Sequence, residues 1–211
     1  MHNHFSDVEQ RVKRYWYTDG IGELIGGGMF MLLGIYFALQ EYLGQNSMVG
    51  GLLQASLILV MIGGMAVSRR LVNTLKTRLT YPRTGYVEYQ VDERKLKSRR
   101  IWVTLLAFTI SALTMVFIKL FQSFDSIVAV TGVAVGLILI ILRGKSSGQA
   151  RFYVLGALSL VLGLVLSISR LPNGYSLGLF YGGMGLSFSI SGGLTLQRYL
   201  AENPLPADAQ H

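Results

Sequence analysis

The chain has 211 residues, 51% hydrophobic and only 14% charged, with a net charge of +8 and a mean hydropathy of +0.46. Water-soluble domains carry about a quarter charged residues, so this sequence is built for a lipid solvent. The lack of cysteine excludes disulfides, thiolate chemistry and sulfur-ligated metals.

A spanning helix needs about 20 mainly apolar residues, and six stretches qualify: 20–42, 48–68, 101–118, 127–142, 152–169 and 175–197. The expected fold is an all-α integral membrane protein of six transmembrane helices, arranged as three antiparallel hairpins. An N-terminal interfacial helix and a short cytoplasmic helix–turn–strand insertion complete it. The organisation reads as 1–18 interfacial, 19–68 first hairpin, 69–100 basic insertion, 101–143 second hairpin, 144–198 third hairpin and 199–211 tail. The first apolar run is too long for a signal-peptide core.

Before the first span, Phe5, Val8, Val12 and Tyr15 recur at helical spacing with charges on the other face. Ser6 and Glu9 match a capping box. This segment reads as a helix lying along the cytoplasmic leaflet, or as an extension of the first span.

Span one opens with Asp19 and Glu23, four residues apart and so on one helical face. Ionisable groups within spans are functional candidates by default. Glu23 reads either as a proton or cation site or as the partner of a cytoplasmic arginine such as Arg69, Arg70 or Arg100. Span two carries one amide, Gln54. Small residues recur at four-residue spacing as Gly22/Gly26, Gly51/Ala55, Gly132/Gly136, Ser159/Gly163/Ser167 and Gly178/Gly182. Such pairs let helix backbones approach closely, within one chain or across a homo-oligomer seam.

Ten lysines and arginines lie between Arg69 and Arg100, three before span one, three between Arg143 and Arg151, and one at Arg198. The alternate loops hold only Lys119 and Arg170, so 17 of the 19 basic residues fall on one side. By the positive-inside rule both termini and the basic insertion face the cytoplasm. The same rule accounts for the basic cluster without nucleic acid, and anionic lipid headgroups become its expected partner.

Within the insertion, a helix is expected to run on from span two to Leu79. The sequence Tyr81-Pro82-Arg83-Thr84-Gly85 should then stop it, since proline disfavours helical geometry before it. Tyr86 to Val91 alternates as a strand does. Tyr81, Pro82, Arg83, Gly85, Tyr86 and Tyr89 are therefore the candidate contacts for a cytoplasmic protein partner or for lipid.

The third hairpin turns at Pro172-Asn173-Gly174. The three hairpins open alike, at Arg14-Tyr15-Trp16, Arg100-Ile101-Trp102 and Arg151-Phe152-Tyr153. That reads as a parallel triplication, or as the common taste of inward-starting helices for arginine and aromatics. Span six is the most polar: Ser187, Ser191 and Thr195 form a hydroxyl stripe. The stripe lines a path for a polar permeant or bonds carbonyls one turn back.

His2, His4 and His211 are terminal, which leaves no imidazole within a span for a triad or metal site. No enzymatic activity, metal or cofactor is expected. The functional expectation is a small transporter, channel-like protein or permease component, with Glu23, Gln54, Ser187, Ser191 and Thr195 on the path. The alternative is a non-conducting anchor or signalling protein working through its basic insertion.

Overall fold

The computed structural model describes residues 19–44, 47–84, 126–144 and 148–204. Among these residues the chain is helical throughout, with no strand. The interfacial helix, span three, the strand of the insertion and the tail beyond residue 204 lie outside the described residues, whereas residues 199–202, expected as the start of the tail, are helical.

Five helices follow in order: α1 (Ile21–Leu43), α2 (Met48–Leu75), α3 (Ser126–Leu137), α4 (Ala150–Ile168) and α5 (Asn173–Glu202). Among the described residues three helices are long and apolar enough to cross a membrane, Ile21–Leu43, Met48–Arg83 and Ala150–Ile168, with a shorter apolar helix at Ile127–Ile141. Leucine, isoleucine and valine side chains face outward along all of them. This is the outside-in apolar surface of a membrane protein.

Glycine decides how these helices pair. α1 and α5 run antiparallel along a seam in which Gly20 meets Gly192, Gly27 meets Gly185 and Gly34 meets Gly178. Each step of seven residues forward on α1 is matched by seven backward on α5. Seven residues are two turns of slightly underwound helix, so the glycines stay on one line at the contact. A Cβ placed on Gly34 would lie 2.7 Å from the Gly182 nitrogen and 2.8 Å from the Gly178 oxygen. No other residue permits that approach. In lipid, backbone proximity of this kind replaces the hydrophobic drive as the source of helix association.

α3 and α4 form a second antiparallel pair by the same means. A Cβ on Gly132 would lie 2.8 Å from the Ser159 oxygen, and one on Gly136 would lie 2.9 Å from the Gly156 oxygen. The Ser159 hydroxyl donates to the Gly132 carbonyl at 2.9 Å, closing the contact with a hydrogen bond. Between the two pairs sits the apolar core of Val128, Leu139, Phe152, Leu155, Phe180, Met184 and Phe188. The tight partners are thus α1 with α5 and α3 with α4. The expected i,i+4 seams at Gly22/Gly26 and Gly51 are not used among the described residues, where nothing lies within 4 Å of a Cβ added there. The turn at Pro172 is held from α1: the Gly174 N–H donates to the Glu41 carboxylate at 3.0 Å, an anion at a helix N-terminus.

The expected helix stop at Tyr81–Gly85 is corrected by the structure. α2 continues through a π-helical turn, Lys76–Thr80, into a last α-helical turn, Tyr81–Thr84. In an α-helix, Pro82 would lack a donor for the Arg78 carbonyl and its ring would strike that carbonyl. Widening the preceding turn relieves the clash, with the Tyr81 N–H reaching back five residues to the Lys76 oxygen. A proline that reads as a terminator is accommodated inside the helix. α3 likewise continues as a π-helix over Ile138–Gly144.

Candidate functional site

Both π-helical turns lie at the same end of the bundle, where α1 and α4 begin and α2, α3 and α5 finish. Each carries a basic side chain, Lys76 or Arg143, into one cavity of about 310 Å³. Among the described residues, Asp19, Gly20, Gly22 and Glu23 of the α1 entry and Val72 of α2 also line it. Gly20 caps α1 with φ of 71°, a left-handed conformation that glycine adopts without strain. That turn sets Asp19 against the bundle, where its carboxylate also accepts from the Ile21 N–H at 3.3 Å.

The two acids are almost wholly buried, Asp19 at 1% and Glu23 at 4% exposure. A buried carboxylate among apolar helices requires a partner, and each has one from a different helix. Lys76 Nζ lies 3.1 Å from Asp19 Oδ2, and the Thr80 hydroxyl donates to the same oxygen at 3.3 Å. Lys76 and Thr80, the first and last residues of the π turn, are four apart and reach the same carboxylate. Arg151 Nη2 lies 2.8 Å from Glu23 Oε1, while the Ser191 hydroxyl donates to Oε2 at 2.9 Å. The other Arg151 nitrogen donates to the Thr195 hydroxyl, which itself donates to the Ser191 carbonyl at 2.7 Å.

Arg151 therefore joins three helices: it stands on α4 and binds α1 and α5. The buried Phe152 ring supports it, with the Arg151 and Arg143 guanidinium carbons 5.3 and 5.9 Å from the ring centroid. A second cavity, about 370 Å³, adjoins the pair at Arg151. Gln149, Ala150 and Arg151 of α4 and Thr195, Arg198, Tyr199 and Glu202 of α5 line it. Glu23 lines the first cavity and Arg151 the second, and the two side chains meet in their ion pair.

Of the residues chosen from sequence, Glu23, Ser191 and Thr195 come together here. Ser187 lies one turn away on α5 and donates to the Gly183 carbonyl at 2.8 Å, one turn back on its own helix. Gln54 is exposed on α2, about 33 Å from Lys76 at 1.5 Å per residue. The partner of Glu23 is Arg151, in place of the expected Arg69 or Arg70; Arg100 lies outside the described residues. Arg83 is engaged within the chain: it donates to the Leu200 and Asn203 carbonyls at 3.3 and 2.7 Å, capping the end of α5. Tyr81 is half-buried and Pro82 exposed on the same last turn of α2. Gly85, Tyr86 and Tyr89 lie outside the described residues.

Asp19 was visible as the companion of Glu23, but Lys76, Thr80, Arg143 and Arg151 were missed as site residues. One signal was present: Lys76 and Thr80 are four apart, just before a proline within a helical pattern.

No protein-family model matches this chain, and no curated protein or solved structure matches it either. The site must speak for itself.

Proposed function

We propose that the protein is a six-span transport protein of the cell membrane, with both termini in the cytoplasm and an inner vestibule opening between its helix ends. One observation carries this reading: a buried, cross-helix pair, Glu23–Arg151, braced by hydroxyls of α5 and with a cavity at each partner. Buried ion pairs are poor stabilisers compared with apolar packing. Their presence in a membrane bundle marks routes for charged or polar solutes. The polar path of this proposal runs from the vestibule along Ser191 and Thr195.

Six spans are supported by the placement of helix ends. α2 finishes at the vestibule, yet α3, which also finishes there, begins at the opposite end. The vestibule end is also where the basic residues gather, which supports its cytoplasmic placement.

The test is uptake of small polar solutes into proteoliposomes, followed by light scattering under an osmotic gradient. Ser191→Leu should abolish a flux that the wild-type protein supports. A wild-type protein no leakier than empty liposomes to every solute would refute the reading. The second reading, a non-conducting anchor for acidic lipid, a protein partner or a second copy of this chain, draws on one observation. Only 6% of the most apolar window of the second helix is buried among the described residues. If replacing residues 85–91 by a flexible linker releases a co-purifying protein while flux is absent, that reading prevails.

A further inference from the structure

We propose that the Glu23–Arg151 pair is a gate between the two cavities, and that the solute which opens it is a compact zwitterion, carrying one anionic and one cationic group. The inference rests on the transport reading and names its class of substrate.

The geometry supplies both halves. Glu23 lines the vestibule with Asp19, Lys76 and Arg143, while Arg151 lines the other cavity with Thr195, Arg198 and Glu202. The pair at 2.8 Å is the contact between them. Parting it would join spaces of about 310 and 370 Å³ into one chamber. Either space alone falls near the lower end of the usual range for small-molecule sites.

Parting the pair leaves a carboxylate and a guanidinium both buried and uncompensated, which is the costly outcome for buried charge. A solute bearing only an anion would satisfy Arg151 and strand Glu23. One bearing only a cation would do the reverse. A zwitterion satisfies both, cationic end to Glu23 and anionic end to Arg151, and brings no net charge into the bundle. Ser191 and Thr195, already bonded to the two partners, would hold each in place as the other moves away. The remaining lining is of mixed charge, Asp19 with Lys76 and Arg143 on one side, Glu202 and Arg198 on the other.

The fold also provides parts that can move relative to each other. Glycine contacts lock α1 to α5 and α3 to α4. Arg151 is a polar tie from the second pair to the first, so its release frees one end of that interface.

The test is equilibrium binding to the purified full chain in lipid nanodiscs, by calorimetry and thermal shift. Glycine, L-alanine, L-serine, β-alanine and glycine betaine form the zwitterion panel. Acetate and methylammonium, singly and together, are the half-charge controls. At least one zwitterion should bind at least tenfold more tightly than either control, and Glu23→Gln and Arg151→Met should each weaken it at least tenfold. Where a variant does not fold, Ser191→Ala and Arg151→Lys take its place, with weakening expected from each. Acetate or methylammonium binding as well as any zwitterion overturns the proposal, and so does a panel that does not bind. Zwitterion binding untouched by these variants overturns it too. Flux of another solute through the same liposomes would then leave the transport reading standing without its zwitterion. No binding and no flux would remove both.

Discussion

Replacing Arg151 by methionine removes the charge that compensates Glu23 while keeping much of the side chain's length. The Glu23 side chain is only 3% exposed, so water from the vestibule replaces the guanidinium only in part. The Ser191 hydroxyl becomes its one remaining partner in the pair's hydrogen-bond set. Removing one member of a buried pair costs about 3–5 kcal/mol, mostly because the other member is left charged in a low dielectric. The 20% exposure of the Arg151 side chain places the expected loss at the lower end, about 3 kcal/mol. Glu23→Gln in the same background removes the stranded charge, and the amide can still accept from Ser191. The double variant should therefore recover at least about 1 kcal/mol over Arg151→Met alone, a coupling of the size neighbouring groups show. Unfolding free energies from SDS titration in mixed micelles, for the wild type, both singles and the double, give the coupling directly. A loss under about 1 kcal/mol for Arg151→Met, or strictly additive singles, would refute a buried and coupled pair.

Three other perturbations address the scaffold. Gly34→Ala drives a methyl into the backbone of α5 and should cost about 1–3 kcal/mol in the same assay, whereas Gly26→Ala, facing open space, should be neutral or mildly stabilising; equal costs would contradict the seam. Arg83→Ala removes the donor to the Leu200 and Asn203 carbonyls, so amide exchange should quicken over the last turn of α5, with unchanged protection there as the opposing result. Pro82→Ala takes away the ring that the widened turn accommodates, so α2 should revert toward regular helix, rotating the segment around the turn and weakening the contacts of Lys76 and Thr80 with Asp19. The expected result is a lower melting temperature even though a proline has left a helix, and a rise would show that the turn is not built around Pro82.

Length and apolarity made the helices legible, because a span is a property of composition over about 20 residues. Span two and span five match α2 and α4 closely at their starts, and span six matches α5 apart from its extended ends. Helix pairing was less legible. Four-residue spacing picked out Gly132/Gly136, Ser159/Gly163 and, on the α5 side of the α1–α5 seam, Gly178/Gly182, yet it missed the Gly20, Gly27 and Gly34 that face α5 from α1 at seven-residue intervals along an underwound contact. Pro82 misled for a local reason: proline bars a regular helix, but a π turn evades the bar, and nothing in a propensity argument weighs that alternative. Among the site residues, Glu23 stood out as a carboxylate in an apolar helix. Arg151 did not, since a count of basic residues by loop assigns it to topology alone. One arginine can mark the cytoplasmic end and still be drawn inward by a buried acid, and the sequence separation of 128 residues from Glu23 hides that partnership.

In the proposed transport protein, the polar vestibule beside Glu23 opens to the cytoplasm. The protein contains no cysteine, and Gly22 lines the cavity with nothing within 4 Å of an added Cβ. Gly22→Cys thus places a single thiol in the space at little structural cost. Its reaction with a membrane-impermeant methanethiosulfonate reagent, added to right-side-out or inside-out vesicles, reads which face the cavity opens to. The account predicts rapid labelling in inside-out vesicles and protection in right-side-out ones. Labelling only from outside, or from neither side, would contradict it.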